Sequence, residues 1–357
     1  MVDGFDEAVA VLSDRRLSND PAHDGNADSA SEAYRSQRRG ISMQECDAPQ
    51  HNRLRRAVAA ALTQRNCAPH LDQMKRRAER LFDALLARGA GDLVADFILP
   101  VVFEVICDLL GIPESDRAQV HIWSDDSTLS DPEISRAGGR ALDDYVASLL
   151  AAKEEQPDVD LCSTLAAART EGRLTDAEAI GTASLMVIAG YETMVSFFSC
   201  SALMFLTNPR LRRRLSQKPE LMPTAIEELF RHITPTHTTN RFAITDVEVD
   251  DAVIPTGSEV IVDFASANRD PMRFAEPDRF DPAREDNKHL AFGYGAHMCP
   301  GAGLARQQSH IVFEILLSRL QLLTLTAPAE ELSWHENRFS RRPASLPVSV
   351  ASDRSTP

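Results

Sequence analysis

Apolar residues recur at helical spacing through most of the first two thirds of the chain, and the rhythm then changes. Residues 5–14 carry the pattern of a short helix. Residues 19–50 are polar, rich in Asn, Asp, Ser and Gly, and read as a long loop. From about residue 52 the chain is mainly helical. "HLDQMKRRAERLFDALLAR" (70–88) has one apolar side, and in 93–113 Asp96, Glu104 and Asp108 form a narrow polar stripe on a largely apolar helix. Further helices are expected near 114–125, 132–153 and 159–169. The segment that follows Thr175 is apolar on nearly every side for about 30 residues, so it should run buried through the centre, roughly 45 Å long. Thr175 and Glu178 have the spacing of a capping box at its start. Pro223 suits the first turn of another helix.

Residues 242–264 alternate and carry β-branched side chains around a Pro-Thr-Gly turn, the pattern of short antiparallel strands. A proline-rich meander (265–285), a glycine-rich stretch and a helix near 301–320 follow, and the end reads as short strands and loops. With no internal repeat and no linker, the expectation is one mainly α domain over 1–357, with small antiparallel β-sheets.

Composition bounds the function. The chain has 357 residues, 43% hydrophobic and 25% charged, with a formal net charge of −15. That charge argues against nucleic acid as a general partner, because phosphate binding needs a basic surface. It leaves room for a local basic patch. The six cysteines, Cys46, Cys67, Cys107, Cys162, Cys200 and Cys299, include no CxxC pair and no disulfide framework, which reads as reduced and cytoplasmic. The N-terminus lacks a signal-peptide layout. No uncharged apolar run is long enough for a membrane span, since Glu192 interrupts the nearest candidate, 179–206.

Candidate chemistry centres on "AFGYGAHMCPGAGLAR" (291–306). With Pro300 in the first turn of a helix, Cys299 would sit at its N-terminus, where free amides stabilise a thiolate. Gly293, Gly295, Gly301 and Gly303 would let the backbone turn tightly and approach a flat ligand. The plainer reading is a buried structural cysteine. A dinucleotide loop fits less well, because no strand precedes Gly301-Ala302-Gly303 and the third glycine is missing. "GYET" places Gly190, Glu192 and Thr193 inside the apolar helix, either as an acid and an alcohol facing a cavity for proton delivery or as a bend with satisfied polar groups. Glu228 and Arg231, at i and i+3, read on their own as a surface helix pair. His51 and Arg55 read on their own as a solvated basic face.

Together these segments resemble the cytochrome P-450 family of haem-thiolate enzymes, soluble bacterial type. "FGYGAHMCPG" is similar to its haem-binding signature, "AGYET" to its central-helix motif, "EELFR" to its Glu-x-x-Arg motif and "HNRLR" to its His-x-x-x-Arg motif. "ANRDPMRFAEPDRFDPAR" is similar to its meander. The resemblance implies a P-450 fold around haem b (iron protoporphyrin IX), with Cys299 as the iron's proximal ligand. It implies that His51, Arg55, Arg241 and His297 hold the haem propionates, with Phe292 packed beside the thiolate and Gly301 in the same loop. It makes Glu228, Arg231 and Arg284 structural. It gives Thr193 and Glu192 a proton relay, and Gly190 the space for O2.

The implied activity is hydroxylation or another oxidation of a small organic molecule in natural-product biosynthesis. Oxidative coupling, desaturation, or haem binding with little turnover are the alternatives. Electrons would come from NAD(P)H through a separate ferredoxin and ferredoxin reductase, with Arg53, Arg55, Arg56 and Arg306 forming a basic patch for the ferredoxin. The substrate pocket would include Met186, Ala189, His237, Thr238, Thr239 and Phe339. The polar side chains at 237–239 would suit an oxygen- or nitrogen-bearing substrate, unless they satisfy local groups instead. The chain starts where the family's second helix begins: either its start lies upstream, or this is a short member with an open sheet edge.

Overall fold

A computed structural model of the chain describes residues 1–25, 40–249, 252–337 and 340–350. Its helices are α1 (Phe5–Ser13), α2 (Gln50–Ala61), α3 (Gln64–Arg88), α4 (Leu99–Leu110), α5 (Arg117–Asp126), α6 (Pro132–Glu155), α7 (Leu161–Thr170), α8 (Asp176–Thr207), α9 (Pro209–Gln217), α10 (Met222–Ile233), the short α11 (Phe264–Ala267) and α12 (Ala302–Arg319). Its strands are β1 (Leu17–Ser18), β2 (Ala90–Asp92), β3 (Thr238–Ala243), β4 (Val247–Val249), β5 (Ala252–Ile254), β6 (Glu259–Asp263), β7 (Leu323–Leu325), β8 (Trp334–Glu336), β9 (Arg341–Pro343) and β10 (Pro347–Val350). The architecture is mainly α with small antiparallel sheets.

The 32-residue α8 is the axis. The Thr175–Glu178 capping box forms at its start, with Thr175 Oγ1 accepting from the Glu178 amide at 3.3 Å and Glu178 Oε2 accepting from the Thr175 amide at 2.9 Å. Helices α4, α6, α7, α10 and α12 pack around it. Its aromatic belt is tight: Phe197 stacks on Phe230 at 3.9 Å and 2°, and Phe197, Phe198 and Phe205 all meet Phe313 of α12. Among the described residues α8 alone is long and apolar enough to cross a membrane, yet 72% of its most apolar stretch is buried against the rest of the chain.

The polar stripe on 93–113 is an ion-pair seam. Arg77 of α3 and Arg117 of α5 both reach Glu104 and Asp108. The segment opens with a π-helical turn at Val94–Ile98 before α4 begins. Helix α3 starts six residues before the amphipathic stretch that announced it, because Thr63 caps it, accepting from the Asn66 amide at 3.4 Å.

A second apolar cluster lies under the sheet β1-β3-β6, built from Phe5, Val11 and Leu12 of α1 with Leu17, Val260, Val262 and Phe264. The outer edge of β6 is covered at Val2, which donates to the Ile261 carbonyl and accepts from the Asp263 amide, each at 2.8 Å. In the antiparallel β3–β6 pair Arg241 lies opposite Val260. That register turns Arg241 inward, where it is 3% exposed.

Candidate functional site

The glycine-rich stretch turns on two left-handed residues, Gly293 at φ 71° and Gly295 at φ 73°. A Cβ on Gly295 would lie 2.7 Å from the Leu12 carbonyl, so neither the angle nor the space admits a side chain. Gly301 and Gly303 differ from the expectation. A Cβ on Gly301 would meet only Cys299 Sγ at 3.7 Å, and one on Gly303 nothing within 4 Å. The protein itself does not require those two glycines.

Helix α12 begins at Ala302 with Gly301 as its N-cap, so Pro300 precedes the first turn rather than occupying it. Cys299 is anchored by its own amide, which donates to the Phe292 carbonyl at 2.8 Å. Burial pushes the thiol up, against the amides of Gly301 and Ala302 and the charges of Arg55 and Arg306, which favour the thiolate. Phe292 packs on Phe230 at 4.6 Å, and the Arg306 guanidinium lies 4.6 Å over its ring. The sulfur therefore meets the amides that open the helix and lies in the field of two cations, Arg55 and Arg306.

Four basic side chains gather nearby. The rings of His51 (α2) and His297 stack with centroids 4.0 Å apart. Burial, then the charges of His51 and Arg241, lowers His297 to about 3, and burial also lowers His51. Burial lowers Arg241 to about 10. Among the described residues Arg241 bonds only the Asn240 carbonyl at 2.7 Å and Thr239 Oγ1 at 3.3 Å, with no carboxylate pair. Arg55 donates to the Met298 carbonyl at 2.6 Å. Buried cations normally carry a paired anion. Two carboxylates brought against this cluster would supply one.

Across α8, Leu185, Ile188, Ala189 and Thr193 fall on one helical face and are partly or fully exposed, although the helix runs through the core. Thr193 Oγ1 donates to the Ala189 carbonyl at 3.1 Å. Glu192 leaves on another side, because successive helical positions diverge by about 100°. It is 3% exposed, and its Oε1 accepts from Asn337 at 2.9 Å, Ser340 at 3.1 Å and Arg342 Nε at 3.3 Å. The expected Glu192–Thr193 pair on one cavity face is thus corrected: the acid is tied to the C-terminal hairpin. At Gly190 a Cβ would lie 2.6 Å from Ile106 Cδ1, so the missing side chain makes room for α4.

Glu228 and Arg231 are not a surface pair. Both are fully buried, with Arg231 Nε on Glu228 Oε2 at 2.7 Å and Nη2 on Oε1 at 2.8 Å. Arg284 Nε donates to the same carboxylate at 3.1 Å, and Arg231 Nη1 donates to the carbonyls of Asn268 and Pro277, each at 2.8 Å. The three residues lock the meander to α10. Asn268, fully buried, adds to the lock through Thr234 and the Leu290 amide. The sequence offered no signal for it beyond an Asn inside the meander.

The proposed basic patch loses two members. Arg306 forms two 2.7 Å bonds to Glu227, and Arg53 pairs with Glu178 at 2.5 Å. Of the expected pocket residues, Met186 is buried and Ala189 exposed, while His237 accepts the Phe264 amide through its carbonyl at 2.8 Å. Thr238 and Thr239 pair with β6, and the Thr239 hydroxyl serves Arg241. Phe339 lies outside the described residues, as does part of the 19–50 loop.

The residues present fit an iron porphyrin with two carboxylates. A sulfur meets helix amides, the buried Arg241 guanidinium has no carboxylate partner among the described residues, two neutral imidazoles lie beside it, and a core helix keeps an open face.

Comparison with known proteins points the same way. The family model described as Cytochrome P450 matches residues 140–349. The chain is 33% identical to the polyketide biosynthesis cytochrome P450 PksS of Bacillus subtilis (strain 168), over 98% of this chain and 89% of that one. It is also 33% identical to the 6-deoxyerythronolide B hydroxylase of Saccharopolyspora erythraea, with the same coverage of 98% and 89%. Among solved structures it superposes on CxnD, described as a cytochrome P450 enzyme for C–S bond formation in chuangxinmycin biosynthesis. That match has a TM-score of 0.88 and 32% identity, over 97% of this chain and 87% of that one.

Proposed function

This chain belongs to the cytochrome P450 family and is a haem monooxygenase, and from that premise we propose that it oxygenates an oxygen- or nitrogen-bearing natural product. The observation that carries the reading is the buried Arg241, without a carboxylate partner among the described residues, gathered with His51, His297 and Arg55 beside a cysteine whose sulfur meets the start of α12.

His51, His297, Arg241 and Arg55 hold the haem propionates, and Cys299 ligates the iron. When bound, the haem supplies the redox centre that activates O2. The amides of Gly301 and Ala302, with Arg55 and Arg306, favour the ionised sulfur. The Arg306 guanidinium lies over the Phe292 ring, which steadies the loop that carries the cysteine. The Glu228–Arg231–Arg284 lock keeps the meander, and so the cysteine loop, at a fixed distance from α10. Thr193 commits its proton to the Ala189 carbonyl and so offers lone pairs to the open face, where it holds a proton donor in place. Met186, Ala189, His237 and Thr238 border the substrate. The chain works as one domain, since the cradle draws residues from α2, β3 and the loop before α12. Electrons arrive from NAD(P)H through a ferredoxin and its reductase, and the scattered reduced cysteines fit a cytoplasmic setting.

A second outcome, bond formation between carbon and a heteroatom, is favoured by the likeness to CxnD. Product analysis separates it from hydroxylation.

The reading is tested by the spectrum of the reduced, CO-bound protein. A thiolate-type band in the wild type that is absent in Cys299→Ala supports it, and the same band in the variant refutes it. Thr193→Val should lower product formed per NADPH consumed; unchanged coupling removes the role given to Thr193.

A further inference from the structure

Away from the haem cradle, three side chains from distant parts of the chain converge on the other side of α8. They are Asp125 at the end of α5, Glu192 in α8 and His335 in β8. Their Asp125 Oδ, Glu192 Oε and His335 ring-nitrogen atoms all lie within 4.8 Å of one another. Asp125 Oδ1 and His335 Nε2 are 3.8 Å apart. Asp125 Oδ1, Glu192 Oε2 and His335 Nε2 are each buried, and among the described residues none has a hydrogen-bond partner. Glu192 is 3% exposed, so its buried Oε2 is a strong acceptor left unused by the described residues.

We propose that Asp125, Glu192 and His335 form a binding site for one divalent first-row cation of the Zn2+ type. Two carboxylates and an imidazole are a donor set such ions take, with metal–ligand distances of about 2.0–2.2 Å. A tetrahedral ion of that size holds its donors roughly 3.5 Å apart, so small side-chain rotations close the set. The outer shell is already built. Asn337, Ser340 and Arg342 bond Glu192 Oε1 and aim Oε2 into the gap. Arg342 also limits the charge: with two carboxylates and one guanidinium the site carries −1, which one divalent ion turns to +1. The ion would tie the C-terminal hairpin to α5 and the central helix.

The test uses the haem-loaded protein, treated with EDTA, equilibrated with Zn2+ and analysed for zinc against haem iron. Wild type should retain one zinc per chain, and its thermal midpoint should rise with Zn2+. His335→Ala and Asp125→Asn should each bind zinc at least about tenfold more weakly. Should the variants fail to fold, modification of wild-type His335 by diethyl pyrocarbonate, mapped by peptide analysis, decides: protection by Zn2+ supports the site, and equal modification overturns it. Zinc retained equally by wild type and both variants, or by none, as when ordered water fills the gap, overturns it as well. Mg2+ in place of Zn2+ should give no stabilisation; equal effects would refute the chemistry assigned.

Discussion

The imidazoles of His51 and His297, 246 positions apart in sequence, lie 4.0 Å apart between ring centroids and 34° from parallel. Two imidazolium ions would repel one another at that distance. They can stack because burial, together with the neighbouring charges of Arg55 and Arg241, lowers both below the ordinary imidazole value. A carboxylate delivered to the pair would reverse the shift and convert a neutral stack into charge-assisted donors.

Haem retention should follow from that cluster. Each charge-assisted bond to a carboxylate is worth about 1.5–3 kcal/mol. Arg241→Met or His297→Ala should therefore weaken haem affinity by roughly 10- to 100-fold. The ratio of Soret to protein absorbance during dialysis against apomyoglobin measures it. Loss no faster than in wild type would remove these residues from the haem site.

Gly190 answers to Ile106. Gly190→Ala places a methyl 2.6 Å from Ile106 Cδ1, and overpacking of this kind costs about 1–3 kcal/mol. Adding Ile106→Val should recover much of the loss, and a double-mutant cycle in urea reads the coupling. Additive losses would mean that Gly190 is needed elsewhere.

The buried lock and an exposed pair should differ sharply. Glu228→Gln leaves the Arg231 guanidinium without its counter-charge at zero exposure, at a cost of about 3–5 kcal/mol. Arg279→Ala removes an exposed partner of Glu276 and should change stability by no more than about 0.5 kcal/mol. Denaturant midpoints measure both. Similar effects would refute the role given to the lock.

Acid should unfold the protein in two successive windows. Burial, with Arg269 and Arg231 beside it, lowers His232 from 6.5 to about 4. Below pH 6.5 the unfolded chain takes up a proton that the native state refuses, so stability falls until about pH 4. Burial alone would raise Glu227, but His289 and Arg306 hold it at about 2 against an ordinary 4.5. Its contribution is present above pH 4.5 and is lost as pH falls toward about 2. Each window is worth about 1–3 kcal/mol. Urea midpoints against pH should show both, and His232→Gln should flatten only the upper one.

Much of the fold was legible because its signals are local. The capping box at Thr175, the apolar run of α8 and the alternation around the Pro-Thr-Gly turn each lie within a few residues, and each element appears where its pattern stands. The α3 start was less legible: Thr63 caps the helix ahead of the amphipathic stretch, in residues with little periodicity of their own. Gly293 and Gly295 were legible as turn residues. Gly301 and Gly303 looked alike in sequence, yet the protein leaves space beside both.

By itself the sequence determined the family, the order of the elements and which cysteine, histidines and arginines to propose for the haem site. Only the tertiary structure decided which groups those residues meet. Glu192 and Thr193 are adjacent, but a helix apolar on nearly every side does not reveal which neighbour each side chain will find. Glu192 turned to Asn337, 145 positions away, and Gly190 to Ile106 on another helix. Arg53 and Arg306 looked like free charges until Glu178 and Glu227 came beside them. Hydrogen bonds and ion pairs act over a few ångströms, and in these cases the fold alone brings remote residues that close.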